Sequence, residues 1–349
     1  MSFPWLQERV DAQGLDGWWL PCLHHLFRDV LRYHNVRTPL YVLFRPMHLV
    51  YFVDKNRYPW LWDGAAEDFS YPQFNQGVTA RWQEAQILGC ADLLDAARAQ
   101  IAECLSSGRI PIIHLEWFHV PFTTHFGKLR GNLHAVAVLD YQSADDSFFI
   151  VDRTALPLTR GGFEKDRGWI QVESLRTAIQ EDFAWLDYHI DSPKRPWRKE
   201  LQTLLYDSVV FMRGGNKFTT SHSDHGFQAI HGFAHFIETL QNDELETTRI
   251  STILRWHLPP CIRKFVIGQR QVLNVVLGEF EDELGPFIAS ARESLFKSIV
   301  LWDQLATLLV RLGFERQTNH KVAIVRHIEG LEKEERVLSE ILETIATVL

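Results

Sequence analysis

Cys22, His134 and Asp152 are three residues whose types and order in this sequence suit covalent chemistry. A thiol attacks a carbonyl as its thiolate, so a nucleophilic cysteine needs surroundings that lower its pKa. A helix start does part of this through unpaired N–H groups and the positive end of the helix dipole. A histidine takes the proton, and a carboxylate fixes the orientation of its ring. Cys22 follows Pro21 in "LPCLHHLFRDVLRYHN" (20–35), and proline suits the first helical turn because its missing N–H costs nothing there. Leu23, Leu26, Phe27, Val30 and Leu31 recur at helical spacing, which places Arg28, Asp29 and Arg32 on the opposite face.

The histidine and the aspartate depend on strands for their position. "LHAVAVLDY" (133–141) alternates as a strand does, "SADDS" (143–147) supplies a turn, and "FFIVD" (148–152) reads as the returning partner. Paired as a hairpin, these strands bring His134 at the start of one near Asp152 at the end of the other. Upstream, "LYVLF" (40–44) and "HLVYFV" (48–53) are extended runs, and a loop rich in Trp, Tyr, Pro, Asp and Gly follows from Asp54 to Gly77. A helix over 91–105, stopped by "SSGR", leads into a strand at 110–118. The stretch from Arg153 through "GGFEKDRGW" is a loop, and a short helix is expected at 172–180.

The expected fold class is α+β over residues 1–190, followed by a mostly helical domain over 191–349. "DSPKRPWRKE" (191–200), with two prolines and four basic residues, reads as the linker between them. Beyond it, 225–241, 292–313 and 320–349 carry apolar residues at three- and four-residue spacing.

Bulk properties narrow the function. Lys and Arg number 36 against 44 Asp and Glu, a net charge of −8, which speaks against a nucleic-acid partner. The N-terminus lacks the basic and apolar regions of a signal peptide, and no run is apolar enough to span a membrane. The four cysteines form no CxxC pair, so a cytoplasmic, reduced protein is expected. Cys90, Cys104 and Cys261 read as packing residues, and His24 and His25 as helix-surface or supporting residues. In "HSDHGFQAIHGFAH" (222–235), His231 and His235 are spaced to share one helical face. Gly232 stands where a zinc-peptidase motif needs glutamate, so no metal is expected. "MRGGNKF" (212–218) lacks the spacing of a nucleotide-binding loop.

The order of helix-borne cysteine, strand-borne histidine and then aspartate is similar to that of papain-like cysteine enzymes. The closer resemblance is to the butirosin biosynthesis protein H family. It is carried by "PCLHHLFRDVLRYHN", "SSGRIPIIHLEWFHVPF", "LHAVAVLDYQSADDSFFIVDRT" and "WIQVESLRTAI", and covers roughly residues 15 to 180. The resemblance implies a papain-like N-terminal domain, related to the bacteriocin-processing cysteine peptidases. It also implies acyl transfer in secondary-metabolite biosynthesis. A phosphopantetheine thioester on an acyl carrier protein would acylate Cys22, with His134 as base and Asp152 orienting its ring. A small-molecule amine or a hydroxyl would then take the acyl group. No permanently bound cofactor is implied.

The sequence departs from that pattern in two places. Papain-like enzymes usually place a glutamine about six residues before the cysteine as an oxyanion donor. Asp16 stands there and cannot donate, which leaves Gln13, Trp18 and Trp19 as the candidates. Glu116 stands where the family tends to have aspartate. Arg213 and Lys217, with Arg160 and Arg167, are candidate contacts to the donor or its carrier, since carrier proteins are acidic. A cysteine hydrolase with the same triad is the second reading and a non-catalytic scaffold the third. A homodimer is compatible with all three.

Overall fold

The computed structural model describes residues 22–34, 36, 46–53, 59–63, 78–84, 92–119, 133–152, 167–181, 183–190, 197–215, 224–241, 244–245, 248–285 and 287–349. They form mixed helix and antiparallel sheet, with a helical C-terminal region. No helix among them is long and apolar enough to cross a membrane.

The chain separates into two compact units, and one cut near residue 190 does not divide them. The first unit takes the helix at 22–33 and the described residues between 78 and 190. The second takes 46–53, 59–63 and everything described from 197 onward. The chain therefore passes from the first unit into the second, returns, and passes again.

The strands in chain order are β1 (Leu49–Val53), β2 (Pro59–Asp63), β3 (Val78–Glu84), β4 (Ile112–Glu116), β5 (Leu133–Gln142), β6 (Ser147–Val151), β7 (Arg167–Gln171), β8 (Ala184–Ile190) and β9 (Asp224–His225). The helices used below are α1 (Cys22–Tyr33), α2 (Leu93–Ser106), α3 (Arg176–Glu181), α4 (Trp197–Met212), α5 (Phe227–Thr239), α6 (Thr248–Thr252), α7 (Leu258–Cys261), α8 (Gly268–Glu279), α9 (Phe287–Glu315) and α10 (Thr318–Val348).

In the first unit six strands form one antiparallel sheet in the order β3-β8-β4-β5-β6-β7. Strand alternation assigns its two faces. Ile113 and Leu115, Val136 and Val138, and Phe148 and Ile150 pack against Leu94, Ala97 and Ile101 of α2 and Ala178 and Ile179 of α3. Each such apolar side chain contributes about 1.5–3 kcal/mol when buried. Asp92 caps α2 by accepting the N–H groups of Leu94 (2.9 Å) and Asp95 (3.3 Å). The opposite face receives α1: Phe27 meets Tyr188 edge-on with ring centroids 5.3 Å apart, and the helix packs along β5. There Ala135 and Ala137, small and buried, let a helix approach closely.

α1 was expected to turn Arg28, Asp29 and Arg32 outward. Instead Arg28 and Asp29 are buried and paired at 3.3 Å and Arg32 is half-buried; His24, read as a helix-surface or supporting residue, is buried, which rules out only the first of these. Two charges are buried here because they neutralise each other.

In the second unit β1 is the middle of a three-stranded sheet, β2-β1-β9. Leu49, Tyr51 and Leu61 enter the same core as Phe233 and Ile237 of α5, Trp302 of α9 and Leu331 of α10. Gly226 follows β9 with φ +59° and donates its N–H to Leu49 O at 2.7 Å. A Cβ there would lie 2.2 Å from Met212 O, so only glycine fits. α6, α7 and α8 are joined by two π-helical turns, Ile253–His257 and Ile262–Ile267. These flank Pro259 and Pro260, which have no N–H to give a regular helix. Fully buried Arg270 and Glu335 pair at 2.8 Å, and Trp302 Nε1 donates to the same carboxylate at 2.6 Å. These hydrogen bonds satisfy a charge pair inside an apolar bundle.

Several expectations are corrected. β2 lies inside the stretch 54–77 read as loop; Pro59–Asp63 pairs antiparallel with β1 along its whole length. β7 begins at Arg167, inside the stretch read as loop up to Trp169. β3 and β8 pair with each other along their whole length, which a search for local hairpins does not detect. Residues 197–200, read as linker, are the first turn of α4. The run 40–44 lies outside the described residues.

His48 and His225 form a buried pair in this unit, with Nε2 and Nδ1 2.9 Å apart, and His48 also stacks on Phe211 at 4.7 Å. Burial, reinforced by His225, lowers the His48 pKa to about 4. The folded state therefore binds fewer protons than the unfolded state between pH 6.5 and 4. The stability from this group is complete above pH 6.5 and is lost as pH falls towards 4. From pH 6.5 to 5 the loss from His48 is about 2 kcal/mol. Denaturant unfolding at both pH values, for the native chain and His48→Gln, should show the smaller drop in the variant; equal drops refute this assignment.

Candidate active site

α1 supplies the cysteine position. Phe27, midway along it, and His34, just after its end, both meet the ring of Tyr188. The Tyr188 hydroxyl accepts from Ile110 N at 2.9 Å and donates to Ile110 O at 3.2 Å. The second half of α1 therefore lies near the start of β4. Cys22 is the first residue of α1; its side chain lies outside the described residues.

β5 runs antiparallel to β4, with His134 opposite Leu115 near the far end of β4. β6 returns beside β5 and ends at Val151, so Asp152 comes to that same end. There the His134 Nε2 and Asp152 Oδ1 are 2.9 Å apart, with the histidine side chain 2% and the carboxylate 13% exposed.

A β-bulge makes this pair possible. From the turn, Gln142 pairs with Ser147, Tyr141 with Phe148 and Asp140 with Phe149. Leu139 is then extra, and pairing resumes as Val138 with Ile150 and Ala137 with Val151. The next residue, Asp152, falls opposite Val136, on the face His134 shares, which is the face that packs on α2 and α3 and not the one that receives α1. Without the extra residue it would fall opposite Ala137, on the other face, because side chains alternate with period two. From the position opposite Val136, His134 is the diagonal neighbour, which long side chains can reach.

In the neutral ring, donation of the Nε2 proton to Asp152 places the lone pair on Nδ1. The carboxylate also stabilises the imidazolium once Nδ1 takes a proton. The arrangement thus offers an oriented base beside a strand end.

The sequence reading missed His114. It lies on β4 opposite Ala135, half-buried, and stacks on Trp82 at 4.6 Å with the rings 11° from parallel. Burial, and then the neighbouring His134, lower its pKa to about 4, so His114 is neutral near pH 7 and adds no competing charge. The signal was present in "IPIIHLEWF", where His114 has the opposite parity to Ile113 and Leu115.

Other candidates divide by location. Gln13, Trp18, Trp19, Arg160 and Lys217 lie outside the described residues. Arg167 opens β7 opposite Val151, beside the strand end that leads to Asp152. Arg213 follows α4 and pairs with Glu343 of α10 at 2.9 Å. Glu116 accepts the N–H of Phe118 at 3.4 Å. Burial raises the thiol pKa of Cys104 and pushes that of Cys261 up to about 11, which keeps both protonated. The histidine run of 222–235 is dispersed: His225 pairs with His48, and His231 Nε2 lies 3.2 Å from Glu332. Among the described residues no three His, Cys, Asp or Glu side chains group as a metal site. No protein-family model matches this chain, and no curated protein matches it.

Proposed function

We propose that the protein is a cysteine-dependent acyltransferase whose first unit is papain-like. The observation that supports this reading most directly is the 2.9 Å contact between the buried His134 and Asp152 at one end of the sheet. In the proposed reaction the His134 Nδ1 takes the Cys22 thiol proton, and the thiolate attacks the carbonyl of an acyl-phosphopantetheine thioester. The pantetheine sulfur leaves with a proton from the imidazolium, and Cys22 carries the acyl group as a thioester. His134 then deprotonates an incoming amine or hydroxyl, which displaces Cys22. Exchange of one thioester for another is nearly neutral in energy, so no nucleotide is consumed, and amide formation drives the second step.

The test is acylation of the enzyme itself. Incubation with acyl-pantetheine thioesters should give an intact-mass increase of one acyl group, absent in Cys22→Ser. Transfer of that group to a polyamine or aminosugar faster than to water supports the transferase. Faster loss to water makes the protein a hydrolase with the same triad. An unchanged mass across a broad panel removes the catalytic reading.

A further inference from the structure

The π turn Ile253–His257 and the C-terminal turn of α9 meet at Gly313. A Cβ there would lie 2.7 Å from Arg255 Cγ and 3.0 Å from Ser251 O, so the glycine permits the approach. The crossing brings together Trp256, 51% exposed, and Phe314, 56% exposed, edge-to-face at 6.3 Å. The Arg255 guanidinium lies 4.9 Å above the Phe314 ring. It is held there by Ser251, with Nε donating to the carbonyl at 2.8 Å and Nη2 to the hydroxyl at 3.1 Å.

Several other arginines of the unit are neutralised by carboxylates. Arg213, Arg263, Arg292 and Arg336 each pair with a carboxylate, from Glu343, Asp303, Glu281 and Glu332 respectively. Arg255 is held by a serine instead. Arg311, exposed one turn before Phe314, has no ion pair among the described residues, and Glu315, next to Phe314, is paired with His320 at 2.6 Å. On a chain of net charge −8, two touching aromatic rings are exposed beside Arg255 and Arg311. Trp and Arg at the centre of a patch are the residues that most often carry binding energy between proteins, and an exposed aromatic patch with a polar rim marks such a surface.

We propose that Trp256, Phe314, Arg255 and Arg311 form a docking surface for an acidic protein. The arginines meet its carboxylates and the two rings enter an apolar groove between them. The choice of partner rests on the function proposed above, whose donor is an acyl carrier protein, a small acidic protein.

The full-length protein is titrated calorimetrically with purified holo acyl carrier protein at 50 and 300 mM NaCl. Saturable binding is expected, weakened about tenfold or more at the higher salt, because exposed charges are screened within about a Debye length. Trp256→Ala and Arg311→Glu should each weaken binding at least tenfold, and Arg292→Ala less than twofold. Arg311→Glu breaks no ion pair among the described residues, and a cooperative thermal transition with a native far-UV circular dichroism spectrum shows that the variant is folded. Absence of saturable binding overturns the proposal, as does binding unchanged in both patch variants. It is equally overturned if the patch variants affect only self-association, or only binding to vesicles of anionic phospholipid. The two proposals fail separately. Cys22 acylation by free pantetheine thioester without carrier binding removes the docking surface alone. Carrier binding through the patch without Cys22 acylation removes the acyltransferase alone.

Discussion

A chain ending at Ile190 should give no soluble folded protein, and residues 191–349 expressed alone should fail as well. The hairpin β1–β2 lies within 1–190 in sequence, yet Leu49, Tyr51 and Leu61 are buried in the helical core with Phe233, Ile237 and Trp302. Removing them from the second unit forfeits three buried side chains at about 1.5–3 kcal/mol each, roughly 5–9 kcal/mol. That matches the whole stability of an ordinary domain, about 5–15 kcal/mol. The loss extends to the backbone, because β9 pairs with β1 and Gly226 donates to Leu49 O. In the N-terminal piece the hairpin keeps only its own two strands, which are marginal in water, and presents an apolar face to solvent. Solubility, near-UV circular dichroism and denaturant unfolding of both pieces check this. A monomeric 1–190 piece with a cooperative transition would show that the first unit folds without the helical core and tolerates the uncovered hairpin. The same result for 191–349 would show that it is dispensable to the second.

This prediction departs most from a sequence-only reading, and the reason is physical. Composition changes sharply near residue 191, where prolines and basic residues cluster, and a unit boundary does fall there. Nothing local in "HLVYFV" or "PWLWD" reveals which core will take Leu49 or Leu61, since alternation reports that one face is buried and not against what. Strands β3 and β8 were missed for a related reason. Their partners lie about a hundred residues apart, and no turn signal links them. The helices at the C-terminus were legible because an apolar stripe at 3.6-residue period is a property of one segment.

At the candidate site the local signals carried further. The run "HAVAVLDY", the acidic turn and "FFIVD" are one hairpin, so sequence alone brings His134 and Asp152 to one end. What it does not show is the face. A regular ladder through the Asp140–Phe149 pair would turn Asp152 away from His134, and the extra residue Leu139 reverses this. A one-residue bulge has no sequence signature as strong as a glycine or proline. The buried Arg28–Asp29 pair is another case, because helical periodicity assigns charged residues to solvent by default.

Substitution of His134 should produce the largest loss of activity after that of Cys22, and the pattern at Asp152 should reveal what the carboxylate does. If His134 is the base, His134→Ala should slow Cys22 acylation by about 1,000-fold or more, since triad members act as a unit. Asp152 accepts a hydrogen bond from Nε2 and supplies a negative charge, and two substitutions separate these roles. Asp152→Asn keeps an oxygen that can accept from Nε2 and so keeps the ring oriented with its lone pair on Nδ1, losing only the charge. Asp152→Ala loses both and leaves a buried ring nitrogen without its acceptor, which costs about 1–3 kcal/mol before any effect on catalysis. The expected order is a loss of about tenfold for Asp152→Asn and about 100-fold or more for Asp152→Ala. The measurement is the single-turnover rate of Cys22 acylation against pH. Loss of the charge destabilises the imidazolium, so Asp152→Asn should shift the basic limb of the thiolate–imidazolium pair to lower pH. Equal rates in Asp152→Asn and Asp152→Ala would mean that the hydrogen bond does not orient the base. Native rates in His134→Ala would remove His134 from the chemistry, leaving the bulge at Leu139 as a feature of the sheet alone.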